Sequence, residues 1–302
     1  ERIVMSQHSI YRALRLFALW LAATLGLNSA AQAEQFIGFG QPGLPGRWAL
    51  ETFPVFNRNT DGTVRAGGNT VLAYFSETGF TDTTRDQLQF WVGAVPGYSN
   101  TKGARNDSPW GIASPNLGFA YYYNVVEPTS AYGEADYTTF WTNPALMVEF
   151  PNGNDDIAGH GAFANRYAVS FSIANYLRVG RFAVTFTPIG VHYAARNRNT
   201  TDLGDGDPRQ LRGGVSYWFA DIAAGYLVSD DLWLGVHHVY HLNNRAGSSF
   251  AASRVAKVGP AMTYTGFSRQ NLYLSANFNV DYHHSPNLPH SHELTMALVK
   301  FF

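Results

Sequence analysis

Hydrophobic and polar residues alternate one by one over residues 270–283. Leu272, Leu274, Ala276, Phe278, Val280 and Tyr282 fall on one side; Asn271, Tyr273, Ser275, Asn277, Asn279 and Asp281 fall on the other. Neighbouring strand residues point to opposite faces, so this pattern predicts a strand with one apolar and one polar face. A helix would need a period of about 3.6 residues, which the segment lacks. The two-residue period recurs. Leu88, Phe90, Val92 and Ala94 alternate with Gln87, Gln89, Trp91 and Gly93, and Tyr167, Val169, Phe171 and Ile173 with Ala168, Ser170 and Ser172. Leu232, Leu234, Val236, His238, Tyr240 and Leu242 alternate with Trp233, Gly235, His237, Val239 and His241. Residues 181–194 keep the pattern only if the register shifts near Pro188, where a bulge accommodates a proline.

Twelve such segments are predicted, near 48–57, 66–76, 86–95, 113–126, 137–150, 166–177, 180–194, 211–228, 231–243, 254–265, 270–283 and 291–302. Connections after the even-numbered segments are mostly brief, as at residues 178–179, 229–230 and 266–269. Those after the odd-numbered segments are mostly long and rich in Gly, Asn and Asp, as at 96–112, 151–165 and 195–210. Outer-membrane barrels have short periplasmic turns and long external loops. The expected fold is therefore all-β: a closed antiparallel transmembrane β-barrel of about twelve strands, with both termini periplasmic. The chain ends Leu298-Val299-Lys300-Phe301-Phe302, and a terminal aromatic on an alternating strand resembles the closing signal of such barrels. Lys300 interrupts the apolar face and is expected to snorkel at the periplasmic rim.

The N-terminus sets the compartment. Arg12 and Arg15 precede an apolar run at 16–27, shorter than the ~20 residues of a spanning helix. Ala31, Gln32 and Ala33 then offer a small-residue cleavage site. These parts make a secretory signal peptide over 1–33, with residues 1–4 lying upstream of a start at Met5. A Gly/Pro-rich segment without period covers 34–47, read as a periplasmic tail or a lumenal plug, and the barrel covers 48–302. The expected location is the Gram-negative outer membrane.

Composition agrees. The chain is 45% hydrophobic, 15% aromatic and only 14% charged, against about 25% charged in soluble domains. A chain that faces lipid without spanning helices must satisfy its backbone between strands, which requires closure. The net charge of −1 gives no basic surface for nucleic acid, and the absence of cysteine excludes thiolate metal sites and disulfides.

Candidate chemistry belongs on the polar faces. Parity predicts that Glu51, Trp91, Trp141, Glu149, His192, Arg212, Trp218, Trp233, His237, His241, Lys257, Asn277 and Asp281 line the pore. Charges face inward because a lipid-facing charge costs up to about 2–4 kcal/mol at the midplane. Both signs occur, so they either brace the barrel or form a constriction that selects permeants by charge and size. Histidines gather toward the external end: His192, His241, His283, His284, His290 and His292. His290 and His292 are two apart, on one face of a strand, but a metal site needs a third ligand. No metal and no cofactor is expected. His283, Ser285 and Asn287 form no compelling triad, so no catalytic residue is expected.

The stretches Phe140-Trp141-Thr142-Asn143-Pro144-Ala145-Leu146, Phe150-Pro151-Asn152-Gly153 and Val258-Gly259-Pro260-Ala261-Met262-Thr263-Tyr264 resemble the outer-membrane transporter family associated with the meta-pathway of phenol degradation. So does the region from Gly225-Tyr226 to Gly235. The resemblance implies a twelve-stranded, non-enzymatic channel for hydrophobic or aromatic compounds. The expected function is passive uptake of such molecules. The alternatives are a closed structural or adhesive barrel and an outer-leaflet lipid-modifying enzyme. Expected partners are outer-membrane lipid and lipopolysaccharide, the permeants, and the barrel-assembly machinery through the C-terminal strand, with the chain a monomer.

Overall fold

The computed structural model describes residues 43–62, 64–81, 85–99, 110–128, 130, 136–151, 167–194, 215–243, 253–286 and 288–302. Residues 1–42, with the expected signal peptide, lie outside the described residues. The alternating segments become strands β1 (Arg47–Thr52), β2 (Val55–Asn59), β3 (Val64–Gly67), β4 (Thr70–Phe75), β5 (Gln87–Ser99), β6 (Trp110–Val126) and β7 (Thr138–Glu149). They continue as β8 (Ala168–Val179), β9 (Phe182–Ala194), β10 (Val215–Ser229), β11 (Leu232–Asn243), β12 (Ser253–Tyr264), β13 (Leu272–His284) and β14 (Ser291–Phe301).

The first four labels describe two staves, each with a break. Pro54 has no N–H for the ladder, and β1 gives way to β2 there. The register passes through unchanged: Thr52 pairs with Leu298 and Thr70, and Val55 with Thr295 and Gly67. Phe53 N–H still reaches the Asn69 carbonyl at 2.8 Å. On the neighbouring stave the break falls at Gly68, where φ is 157° and a Cβ would collide with the Phe53 carbonyl. The result is a closed antiparallel barrel of 12 strands, sealed where β1 and β2 pair with β14.

Two of the links at the end that holds the termini are tight, residues 180–181 between β8 and β9 and 230–231 between β10 and β11. Gly180, at φ 57°, makes the two-residue link between β8 and β9. The expected bulge at Pro188 is present: the β8–β9 ladder shifts between Ile173 and Asn175, and the β9–β10 ladder between Phe219 and Asp221.

One face of each strand is apolar and exposed. Phe90, Val92, Leu117, Phe119, Val169, Phe171, Ile189, Ile222, Leu234, Val236 and Phe278 all belong to it. An apolar belt around a closed barrel is a surface that hydrocarbon solvates and water does not. Aromatics stand at its two ends, Trp48 and Tyr226 at one and Tyr167 and Tyr282 at the other. Among the described residues no helix is long and apolar enough to cross a membrane.

The interior near the termini is packed. Leu44, Ala49, Val71, Ala73, Phe75, Tyr273, Val299 and Phe301 form one cluster, and Trp141, Tyr176, Ala183, Ala223, Leu227 and Trp233 a second. Leu44 is buried, so the chain just before β1 turns into the barrel. Lys300 does not reach solvent as expected. It is buried, and its Nζ donates to the Gln270 carbonyl in the short 3-10 turn before β13, which supplies a nearer acceptor than water.

Candidate functional site

Two cavities follow one another along the first two staves. The cavity nearer the termini holds about 250 Å³ and is bounded by Glu51, Phe53, Phe75, Gln89, Trp91 and Tyr122 among others. The second holds about 430 Å³, and its walls include Asn57, His241, Arg254, Lys257, Leu288 and Pro289. Glu51 and Asn57 lie on the same stave, which continues from one cavity to the next.

The first cavity is organised by a hydrogen-bond chain. Tyr122 Oη donates to Gln89 Oε1 at 3.0 Å, and Gln89 Nε2 donates to both Glu51 carboxylate oxygens, at 3.0 and 3.2 Å. Three strands contribute these groups: β1, β5 and β6. A buried carboxylate requires such donors, because an unpaired one carries a large desolvation cost. Trp91 stands beside them over Gly118, where any Cβ would meet the indole ring. Phe53, Phe75 and Trp91 give this cavity an aromatic wall around one acidic group.

The second cavity carries cations. Lys257 Nζ lies 2.7 Å from Glu293 Oε2, and Asn57 Nδ2 donates to the same oxygen at 3.4 Å. Deeper along β11, His237 Nδ1 faces the Asn279 side-chain amide at 3.0 to 3.2 Å, and its Nε2 is 4.0 Å from Asp221. These links tie β2, β10, β11, β12, β13 and β14 together across the interior.

The remaining parity-derived residues distribute as follows. Trp141 and Trp233 are buried in the second aromatic cluster, where the Arg178 guanidinium sits 5.0 Å from the Trp233 ring and 4.6 Å from that of Tyr137. Such stacking compensates the cation for lost hydration. Glu149 is buried where β7 pairs with Asn116, which donates to Asn69 Oδ1 at 3.0 Å. Asn277 is half-buried and pairs with Ala261 and Thr295. Asp281, its side chain buried, lies near the far end of β13 and pairs across the ladder with Lys257. His192 and Trp218 belong to β9 and β10, but their side chains, like all of Arg212, lie outside the described residues.

One sequence reading needs correction: His290 and His292 do not share a strand face. His290 precedes the first residue of β14, so two-residue alternation does not apply to it, and His292 stacks on outward-facing Phe278. Ser285 Oγ accepts the Arg254 N–H at 3.0 Å, and His283 is exposed.

Gln89, Tyr122, Asn57 and Glu293 were missed. Glu293 and Gln89 sit on the polar faces that alternation marks, so parity could have found them; Tyr122 lies in a Tyr-Tyr-Tyr run where parity is silent. Asp86 was also missed. It is fully buried, accepts Tyr121 Oη and the Asn124 N–H at 2.8 Å each, and pins the turn before β5 to β6.

No protein-family model and no curated protein matches the chain by sequence. Among solved structures it is similar to an outer-membrane channel from Pseudomonas putida F1, at 15% identity and TM-score 0.63, over 87% of this chain and 97% of that one. The fold is that of outer-membrane β-barrels. The translocator domain of the autotransporter NalP from Neisseria meningitidis is 12% identical over 98% of both chains, at TM-score 0.45. The beta domain of the Bordetella autotransporter BrkA is 11% identical over 85% of this chain and 99% of that one, at TM-score 0.46.

Proposed function

We propose that this barrel is an outer-membrane channel for passive uptake of small molecules with an aromatic or apolar body. The observation that carries the reading is the pair of cavities in series along one wall of a closed barrel. The cation-rich cavity lies toward the end opposite the termini, and the aromatic one toward the termini. A solute with a flat apolar body and one polar group finds a charged partner first and ring surfaces next. The likeness of fold to a bacterial outer-membrane channel supports this reading, as does the resemblance to transporters linked to phenol degradation.

In this reading residues 1–33 are the export signal, the termini face the periplasm, and the apolar belt meets lipid and lipopolysaccharide. The chain acts as a monomer, inserted by the barrel-assembly machinery through β14. Glu51, Trp91, His237, His241 and Lys257 line the path; Trp141, Trp233 and Glu149 brace it.

One observation favours a second reading, a barrel sealed by its own side chains: Trp141, Tyr176 and Trp233 fill the interior on the β7–β11 side. Liposome swelling separates the two. Entry of phenols and benzoates faster than sugars of similar size supports the channel, as do discrete conductance steps in planar bilayers. Sealed bilayers and no swelling with any solute overturn it.

A further inference from the structure

At the end of β13 the ladder to β12 skips a residue. Lys257 pairs with Asp281, but Ala256 pairs with His283 and Val255 with His284, so Tyr282 is left unmatched. The skip restores parity one step late and puts His284 on the face of Asp281. Bulges re-aim side chains in this way. The turn then returns His290 to the same place.

Three side chains meet there. His284 Nε2 and His290 Nε2 are 3.1 Å apart, with the rings nearly perpendicular. The Asp281 side chain is 3% exposed; its Oδ1 accepts the Ser291 N–H at 3.0 Å and faces His290 Nδ1 at 3.3 Å. Its Oδ2 accepts no hydrogen bond among the described residues and lies 4.0 Å from His284 Nε2. His284 Nδ1 faces the Ser285 carbonyl oxygen at 3.0 Å.

Asp281, His284 and His290 each bring one ligand atom to within 4.8 Å of the other two. The carboxylate joins the two rings, with Oδ1 3.3 Å from His290 Nδ1 and Oδ2 4.0 Å from His284 Nε2. The two nitrogens of one imidazole point to opposite sides of the ring, so an ion shared with the carboxylate takes His290 through Nδ1 and His284 through Nε2. His284 Nδ1 then donates to the Ser285 carbonyl, the outer support that metal-binding histidines use. The buried Asp281 Oδ2 supplies the third donor.

We propose that Asp281, His284 and His290 form a site for one divalent transition-metal ion with the nitrogen and oxygen preference of zinc, at the barrel end opposite the termini. The histidine and carboxylate set suits Zn²⁺. His290 is 60% exposed, which leaves the ion open to a fourth ligand from solvent. Bound metal clasps the β13–β14 turn to the strand. Leu288 and Pro289 of that turn wall the larger cavity, so the ion also fixes the cavity's rim.

The test uses the untagged, folded full-length barrel in detergent, stripped with chelator and titrated with Zn²⁺ by calorimetry and with Co²⁺ by visible absorption. One ion per chain is expected, with the intense cobalt bands of a low-coordinate site. D281N, H284A and H290A each raise Kd at least tenfold, while H283A and H292A leave it unchanged; heat-modifiable gel mobility verifies that every variant is folded. Absence of stoichiometric uptake, including the case where the two imidazoles merely share a proton, overturns the proposal. So does binding that survives in the triple variant, or that falls equally in H283A.

Discussion

Lys257 and Glu293 form an ion pair across the barrel interior, Nζ to Oε2 2.7 Å, with both side chains largely shielded from solvent. They come from β12 and β14, which flank β13, so the pair spans a strand rather than joining paired neighbours. Removing one partner leaves the other buried and uncompensated. Lys257→Met is expected to destabilise the barrel by roughly 3 kcal/mol, a typical cost of breaking a buried pair. Adding Glu293→Leu should recover most of the loss. Urea unfolding in lipid vesicles, followed by tryptophan fluorescence, measures both. Equal stability of the wild-type and Lys257→Met proteins would show that the lumen is wet enough to screen the pair.

A second expectation concerns the indole of Trp91. It stands over Gly118, and a side chain there would also meet the Leu146 carbonyl of β7. Gly118→Ala is expected to cost about 1–3 kcal/mol, the usual range for overpacking. Trp91→Ala instead removes an aromatic wall of the cavity that contains Glu51. Liposome swelling should then speed up for sugars and lose its preference for phenols. Unchanged selectivity would show that Trp91 does not touch the permeant path.

Much of this architecture is legible in the sequence, and the exceptions have physical causes. The faces of β13 follow from alternation alone, and Pro188 announces its own bulge because it cannot donate to a ladder. Tyr282 announces nothing. A bulge without proline or glycine depends on how β12 and β13 settle against each other, and the convergence of Asp281 with His284 and His290 depends on that bulge. The Glu51–Gln89–Tyr122 chain is similarly hidden. Parity assigns Gln89 a face, but it cannot say which residues of strands 38 and 33 positions away lie within reach.

The two faces of a strand should respond oppositely to charge. Val236 on β11 is 55% exposed on the apolar belt, whereas its neighbour His237 faces the interior and its polar partners. Val236→Arg is expected to cost about 2–4 kcal/mol if that position lies near the bilayer midplane. His237→Arg should cost less, because Asp221 stands 4.0 Å from the present ring. Unfolding midpoints in vesicles compare the two directly. A Val236→Arg variant as stable as His237→Arg would contradict the lipid-facing assignment of the belt.

Glu51 supplies the last test because it is the acidic group in the aromatic cavity. Its two carboxylate oxygens both take hydrogen from Gln89, which in turn takes hydrogen from Tyr122. Glu51→Gln keeps the shape and removes the charge, but its amide nitrogen then confronts the Gln89 amide donor. Gln89 is expected to turn its oxygen toward that nitrogen, so that its own amide nitrogen donates to Tyr122 Oη and that link reverses. Conductance in planar bilayers should lose cation preference, because the cavity no longer holds a fixed negative charge. Gln89→Leu tests the other half: it keeps Glu51 but strips its donors, which leaves a buried carboxylate with a desolvation cost of several kcal/mol unless it takes up a proton. A loss of cation preference in Glu51→Gln, together with a fall in stability in Gln89→Leu, would separate the charge's role in permeation from the chain's role in bracing β1 against β5 and β6. If selectivity stays unchanged in Glu51→Gln, the carboxylate serves the wall and not the path.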